Sequence, residues 1–82
     1  MKSFRRKITP EYVRKHYDIR VSSTYETYLI GTNNDINHVN VYIQIREDRI
    51  CLMYGYFFPS YWICDIEHIY ELKQMLKIYK IK

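Results

Sequence analysis

"VNVYIQIREDRICLMYGY", residues 39–56, carries the pattern on which the fold turns. From Val39 to Arg46 four β-branched residues alternate with four more polar ones, the period-2 signature of a strand with one buried face. If Glu47 and Asp48 form a two-residue turn, Arg46 faces Arg49, Ile45 faces Ile50, Ile43 faces Leu52, Val41 faces Tyr54 and Val39 faces Tyr56. The apolar faces of both strands then coincide, and a slip of one residue would set apolar against polar along the whole pair. The other face of the same hairpin carries Tyr42, Gln44, Arg46, Arg49, Cys51, Met53 and Phe57.

Working outward, Ile19 to Ile30 is rich in β-branched and aromatic residues, with Val21, Tyr25 and Leu29 on one parity, and is expected to form a third strand, bent near Ser22 and Ser23. Gly31 to Asp35 supplies turn residues, and the loop extends to about His38. Ahead of this strand, Thr9 is placed to cap a helix with Pro10 at its first position and Glu11 where the dipole favours an anion, while Ile8 and Val13 are spaced as a hydrophobic staple. Behind the hairpin, Pro59 and Ser60 are expected to end the strand. Asp65 then caps a long helix whose stripe is Ile69, Leu72, Leu76 and Tyr79, with acids early and lysines late. Trp62 and Ile63 are expected to close the core where that helix begins.

The expectation is an α+β fold in one small domain over residues 1–82: a basic arm (1–8), a helix (9–17), a three-stranded antiparallel sheet (19–58) and a C-terminal helix (65–80), with both helices on one face. In this αβββα arrangement the second face is open unless Tyr61, Tyr70 or the N-terminal segment folds over it. Eighty-two residues hold a single core, and a domain this short buries only roughly 60–65% of its unfolded surface.

Several function classes are disfavoured by composition. The uncharged run Ile50 to Cys64 contains Gly55, Pro59 and three tyrosines and is shorter than the ~20 apolar residues of a bilayer span, so no membrane anchor is expected. Residues 1–20 hold seven cations and no apolar block of the ~7–15 residues that a secretory signal needs, so Cys51 and Cys64 are expected to be reduced, in a cytoplasm. The net charge of +4 is concentrated at the two ends: seven cations face Glu11 and Asp18 in residues 1–20, and four lysines close the chain. The absence of Ala beside twelve Ile and ten Tyr is the bias of AT-rich coding, common in mobile elements.

No residues converge on catalysis. Cys51, Cys64 and His68, with His38, lack the paired C-x2-4-C half of a zinc site. Cys64 and His68 have no oxyanion loop or orienting acid, and Asp65 with Glu67 read more simply as helix-start residues. Gly31 and Gly55 are the only glycines, too few for a phosphate cradle. No metal, cofactor or enzymatic activity is expected.

The expected element order resembles that of double-stranded-RNA-binding domains in layout alone, over about residues 10–80. In that family the second helix opens with a lysine cluster on phosphates, whereas here the place reads Asp65-Ile66-Glu67-His68-Ile69-Tyr70-Glu71, which repels them. The leading expectation is therefore a small non-enzymatic inhibitor or modulator, encoded by a phage or mobile element and acting on host machinery in the manner of anti-CRISPR proteins. It would occlude a protein partner through Tyr28, Tyr42, Arg46, Arg49, Met53 and Phe57, residue types enriched at interface hot spots. The alternative is a nucleic-acid-binding regulator using Arg5, Arg6, Lys7, Arg14, Lys15 and Arg20, with Tyr28, Tyr42 and Phe57 stacking on single-stranded bases. Pairing of two copies through an open face or edge is a further expectation.

Overall fold

The computed structural model describes residues 6–33 and 39–78. Helix α1 (Pro10–His16) starts as its sequence dictates: the Thr9 hydroxyl accepts a 3.1 Å hydrogen bond from the Tyr12 N–H, and Pro10 occupies the first turn. It ends at Tyr17, whose extended backbone donates back to the Val13 carbonyl.

The sheet differs from expectation. It is five-stranded and antiparallel, with strands side by side in chain order: β1 (Arg20–Val21), β2 (Glu26–Asn33), β3 (Val39–Ile45), β4 (Ile50–Gly55) and β5 (Tyr61–Ile66). The three-stranded αβββα arrangement is thereby overturned, for two physical reasons. The Ile19–Ile30 stretch is two strands, because the chain reverses through the Ser23–Tyr25 bend and sets Arg20 opposite Tyr28 and Val21 opposite Thr27. The Thr27 hydroxyl closes that bend on the Tyr25 carbonyl at 2.8 Å. After Pro59 and Ser60 the chain returns as β5. A bulge leaves Ile63 without a partner between the pairs Met53–Trp62 and Leu52–Cys64 and breaks the alternation that would have advertised a strand.

Asp65 is consequently a strand residue and not a cap. Helix α2 (Ile69–Ile78) starts later than residue 65, and its cap comes from inside: Glu71 Oε1 accepts from the His68 N–H at 2.7 Å and the Glu67 N–H at 3.1 Å, the reach-back half of a capping box. Tyr79 and the C-terminal lysines at 80 and 82 lie outside the described residues.

The β3–β4 register is the one that the apolar pattern requires, with Ile45 opposite Ile50, Ile43 opposite Leu52 and Val41 opposite Tyr54. Arg46 N–H donates to the Arg49 carbonyl across the turn, and the ladder stops at Asn40–Gly55, one pair before Val39 and Tyr56. Val13 of α1 and Ile69 and Leu72 of α2 join Ile8, Tyr28, Val41, Ile43, Ile50, Leu52 and Ile66 in one core, so both helices cover the same sheet face.

The expected N-terminal arm is in part tied down. Ile8 N–H donates to the Glu67 carbonyl and Ile69 N–H to the Arg6 carbonyl, both at 3.0 Å, so residues 6–8 lie antiparallel to residues 67–69. Residues 1–5, including Arg5, lie outside the described residues.

Candidate functional site

The sheet face away from the helices was the expected docking surface, and it is closed. Tyr42 is 1% exposed, and it packs with buried Cys51 and Met53 against Val21 and Leu29. Tyr28 falls on the other side, opposite Ile43, and is buried in the helix-covered core. All three of Tyr28, Tyr42 and Met53 are therefore packing residues and not contact residues: Tyr42 and Met53 because the additional strand β1 and the bend after it close this face, Tyr28 because it lies in the core under the helices.

The polar groups of the closed face satisfy one another. Buried Gln44 donates to Thr27 Oγ1 at 3.2 Å and accepts from Arg46 Nε at 2.9 Å, while the Arg46 guanidinium lies 4.5 Å from the Tyr25 ring centre. Asn40 donates to Tyr42 Oη at 3.2 Å and accepts from the Thr32 hydroxyl at 2.8 Å. Asp65 Oδ1 accepts from Trp62 Nε1 at 3.0 Å and Cys51 Sγ at 3.3 Å, with Arg49 3.7 Å from its other oxygen; the Trp62 bond first and the Cys51 bond second hold its carboxyl below the usual range. Arg46 is thus engaged internally. Arg49 is exposed but shared between Asp48 and Asp65.

The basic set proposed for nucleic acid is also divided. Arg14 makes a two-pronged contact with Glu26 at 2.8 and 3.0 Å, which raises its affinity for the proton and satisfies its charge. Lys15 and Arg20 are exposed on α1 and β1, whereas Arg6 and Lys7 sit beside residues 67–69.

What is open is the far end of β4 and β5. Tyr54 and Tyr61 stack across the strand pair at 5.1 Å between ring centres, and beyond them Tyr56, Phe57 and Phe58 project from the connecting loop, with Phe57 87% exposed. Trp62 is exposed as well, on the opposite face from Tyr61, and does not close the core. This aromatic crown is held by its backbone. Ser60 N–H donates to the Tyr54 carbonyl at 3.1 Å, the Ser60 hydroxyl to the Phe58 carbonyl at 3.2 Å, and the Asn40 amide to the Tyr56 carbonyl at 2.7 Å. Gly55 is required here, since a Cβ would run into the Phe58 carbonyl oxygen. The signal in the sequence was Phe57-Phe58 directly before Pro59: two adjacent rings cannot both face one core in a strand.

The chemistry available elsewhere is sparse. Cys51 and Cys64 are free thiols on adjacent strands but opposite faces, opposite Asp65 and Leu52 respectively. Burial first and the bond to Asp65 second push the Cys51 thiol up to about 11, and burial also raises Cys64, so the thiolate form of both is disfavoured. His38 lies outside the described residues, and among those described no three His, Cys, Asp or Glu side chains gather as metal ligands. An open cleft between residues 7–10 and the β3–β4 turn mixes Lys7, Arg46 and Arg49 with Glu47, Asp48, Asp65 and Glu67, a lining of both signs. No described helix is long and apolar enough to cross a membrane.

No protein-family model, curated protein or solved structure matches this chain. The crown must therefore be interpreted from its own chemistry. Its backbone is held by hydrogen bonds, and its rings are unaccompanied by charge over residues 50–64.

Proposed function

We propose that the protein is a non-enzymatic binding module that docks its aromatic crown on a protein partner and blocks or modulates it. The exposed, backbone-fixed crown is the observation that carries this reading. An aromatic side chain covers about 150–250 Å², so Tyr54, Tyr56, Phe57, Phe58 and Tyr61 at their observed exposures present roughly 450–750 Å² of aromatic surface, at or above the upper end of the largest apolar patch on an ordinary monomer. A loop backbone already held in place loses little freedom on binding, which favours the rings it carries as anchors.

A nucleic-acid reading needs stacking rings beside cations. Here Tyr61 and the Lys7–His68 bridge lie at opposite ends of β5, roughly 20 Å apart at ~3.3 Å per residue, so a protein partner is the better fit. The host-directed inhibitor encoded by a phage or mobile element belongs to this same proposal, with steric occlusion as its mechanism, and the free thiols support a cytoplasmic setting.

The test is capture of partners by tagged protein from its host, with nuclease, compared with the F57S/F58S double variant. A partner held through nuclease and up to ~0.5 M salt, and lost with the variant, supports the proposal. Retention by the variant, or steep loss with salt, overturns it, since phosphate contacts weaken sharply as salt rises.

A further inference from the structure

The two edges of the sheet are unlike. The β1 edge is two residues long, Arg20 and Val21, between Ile19 and Ser22, too short an edge to template a further strand. The β5 edge runs six residues, Tyr61 to Ile66, and among the described residues no strand lies against it until residues 6–8 take up antiparallel pairing with residues 67–69. A slot six residues long is thus bounded at one end by that segment and at the other by the Pro59–Ser60 turn.

We infer that a second copy of this chain fills the slot, β5 pairing antiparallel with β5 of its partner about a two-fold axis perpendicular to the sheet. This goes beyond the crown's proposed role. Two observations select a second copy as the occupant. The bulge at Ile63 sets Tyr61 and Ile66 on the helix-covered face and Trp62 and Asp65 on the other, as their partners Tyr54, Ile50, Met53 and Cys51 show. In a regular strand, residues five apart would lie on opposite faces. With the bulge, the self-pairing places Tyr61 opposite Ile66, Trp62 opposite Asp65 and Ile63 opposite Cys64, face matching face, and both copies carry their helices on the same side.

The second observation concerns charge. Asp65 is the sole formal charge on β5, and in this register it meets the indole of Trp62 and not a second carboxylate. Trp62 Nε1 already donates to Asp65 within the chain, so the indole and carboxylate of each copy stand ready at the contact. The result is a continuous sheet of two five-stranded halves with a crown at each end. A contact of one six-residue strand pair and its flanking side chains lies at the low end of interface sizes, so the dimer forms and dissociates in roughly the micromolar range.

Sedimentation velocity of the full chain from about 1 to 500 µM gives the test, with far-UV circular dichroism confirming that each variant is folded. The wild type is expected to show a monomer–dimer equilibrium. Trp62→Glu places carboxylates opposite Asp65 twice over and weakens it on the order of 100-fold. Trp62→Lys removes the same indole but offers Asp65 a cation, and keeps the dimer. The W62E/D65K double variant restores it. F57S/F58S leaves it intact, which separates this inference from the crown's role. A wild type that is monomeric throughout, equal dimerisation of W62E and W62K, or dissociation by F57S/F58S overturns the pairing.

Discussion

Strand β4 belongs to two hairpins, and they treat their aromatic residues in opposite ways. With β3 it forms a hairpin whose interior side chains are shut away: Leu52 is 0% exposed under the helices and Tyr42 is 1% exposed on the other face. With β5 it forms one whose rings stand in solvent. Tyr54 lies two residues beyond Leu52 on the same face, yet it is 38% exposed and absent from the core that Leu52 anchors. Tyr54 shares its parity with Leu52 and its residue type with Tyr42; the difference is cover. The helices reach across Leu52 and stop before Tyr54, so alternation sorts side chains onto a face and neighbouring elements decide whether that face is wet.

Tyr42 tests the comparison most severely. If it is core, Tyr42→Ala removes a packed ring and leaves Asn40 without one acceptor, and is expected to lower stability by about 3–5 kcal/mol in urea unfolding. If the face were open, as alternation alone suggests, the same substitution would cost less than about 0.5 kcal/mol.

Gly55 sits at the boundary between the two regimes. A Cβ there meets backbone, the Phe58 carbonyl oxygen, with the Ser60 nitrogen 3.2 Å away, and backbone cannot rotate aside as a side chain can. Gly55→Ala should cost about 1–3 kcal/mol and, by moving the loop, change the fluorescence anisotropy or near-UV signal of the crown tyrosines. Unchanged stability would mean that the crown is a loose loop and not a built surface.

The parts of this molecule that were legible in the sequence are those governed by local rules. Thr9 and Pro10 announce α1, and the coincidence of two apolar faces announces the β3–β4 register down to individual pairs. What escaped was set by departures from local rules or by distant cover. Ile63 interrupts the period of β5, so in the sequence the strand reads as a lead-in to a helix. Val21, Tyr25 and Leu29 share a parity that suggested one strand, although the Ser23–Tyr25 bend splits it into two. The closing of the second face follows from that split: the additional strand β1 supplies the side chain of Val21, and its bend places Tyr25 against Arg46. Of the aromatic residues expected to dock, Phe57 alone stands among the exposed rings, while Tyr28 and Tyr42 are packed inside.

The cover itself is testable through α1. Thr9→Ala removes the acceptor for the Tyr12 N–H and should cost about 1 kcal/mol. Below that in size lies the link between α1 and β2. Hydrogen bonds from Arg14 first and the Tyr28 hydroxyl second hold the Glu26 carboxyl at about 2, down from an ordinary 4.5. A carboxyl with a depressed value contributes fully above its ordinary pKa, and its contribution fades as pH falls from 4.5 toward 2. Glu26→Gln should flatten the urea midpoint across that window and leave little difference between variant and wild type near pH 2. A parallel pair of curves would show that the contact with Arg14 does not fasten α1.

The smallest expected effect on stability belongs to Phe57, the most exposed large side chain of the crown. Phe57→Ser removes a ring that solvent already surrounds, so the urea midpoint should move by no more than the equivalent of about 0.5 kcal/mol, in either direction. This near-neutrality distinguishes a surface kept for contact from one kept for folding, because the same ring two residues into either strand would cost several times as much. A loss above ~2 kcal/mol would mean that Phe57 packs within the monomer, and the division of β4 into a covered and an uncovered half would fail at the residue where it is sharpest.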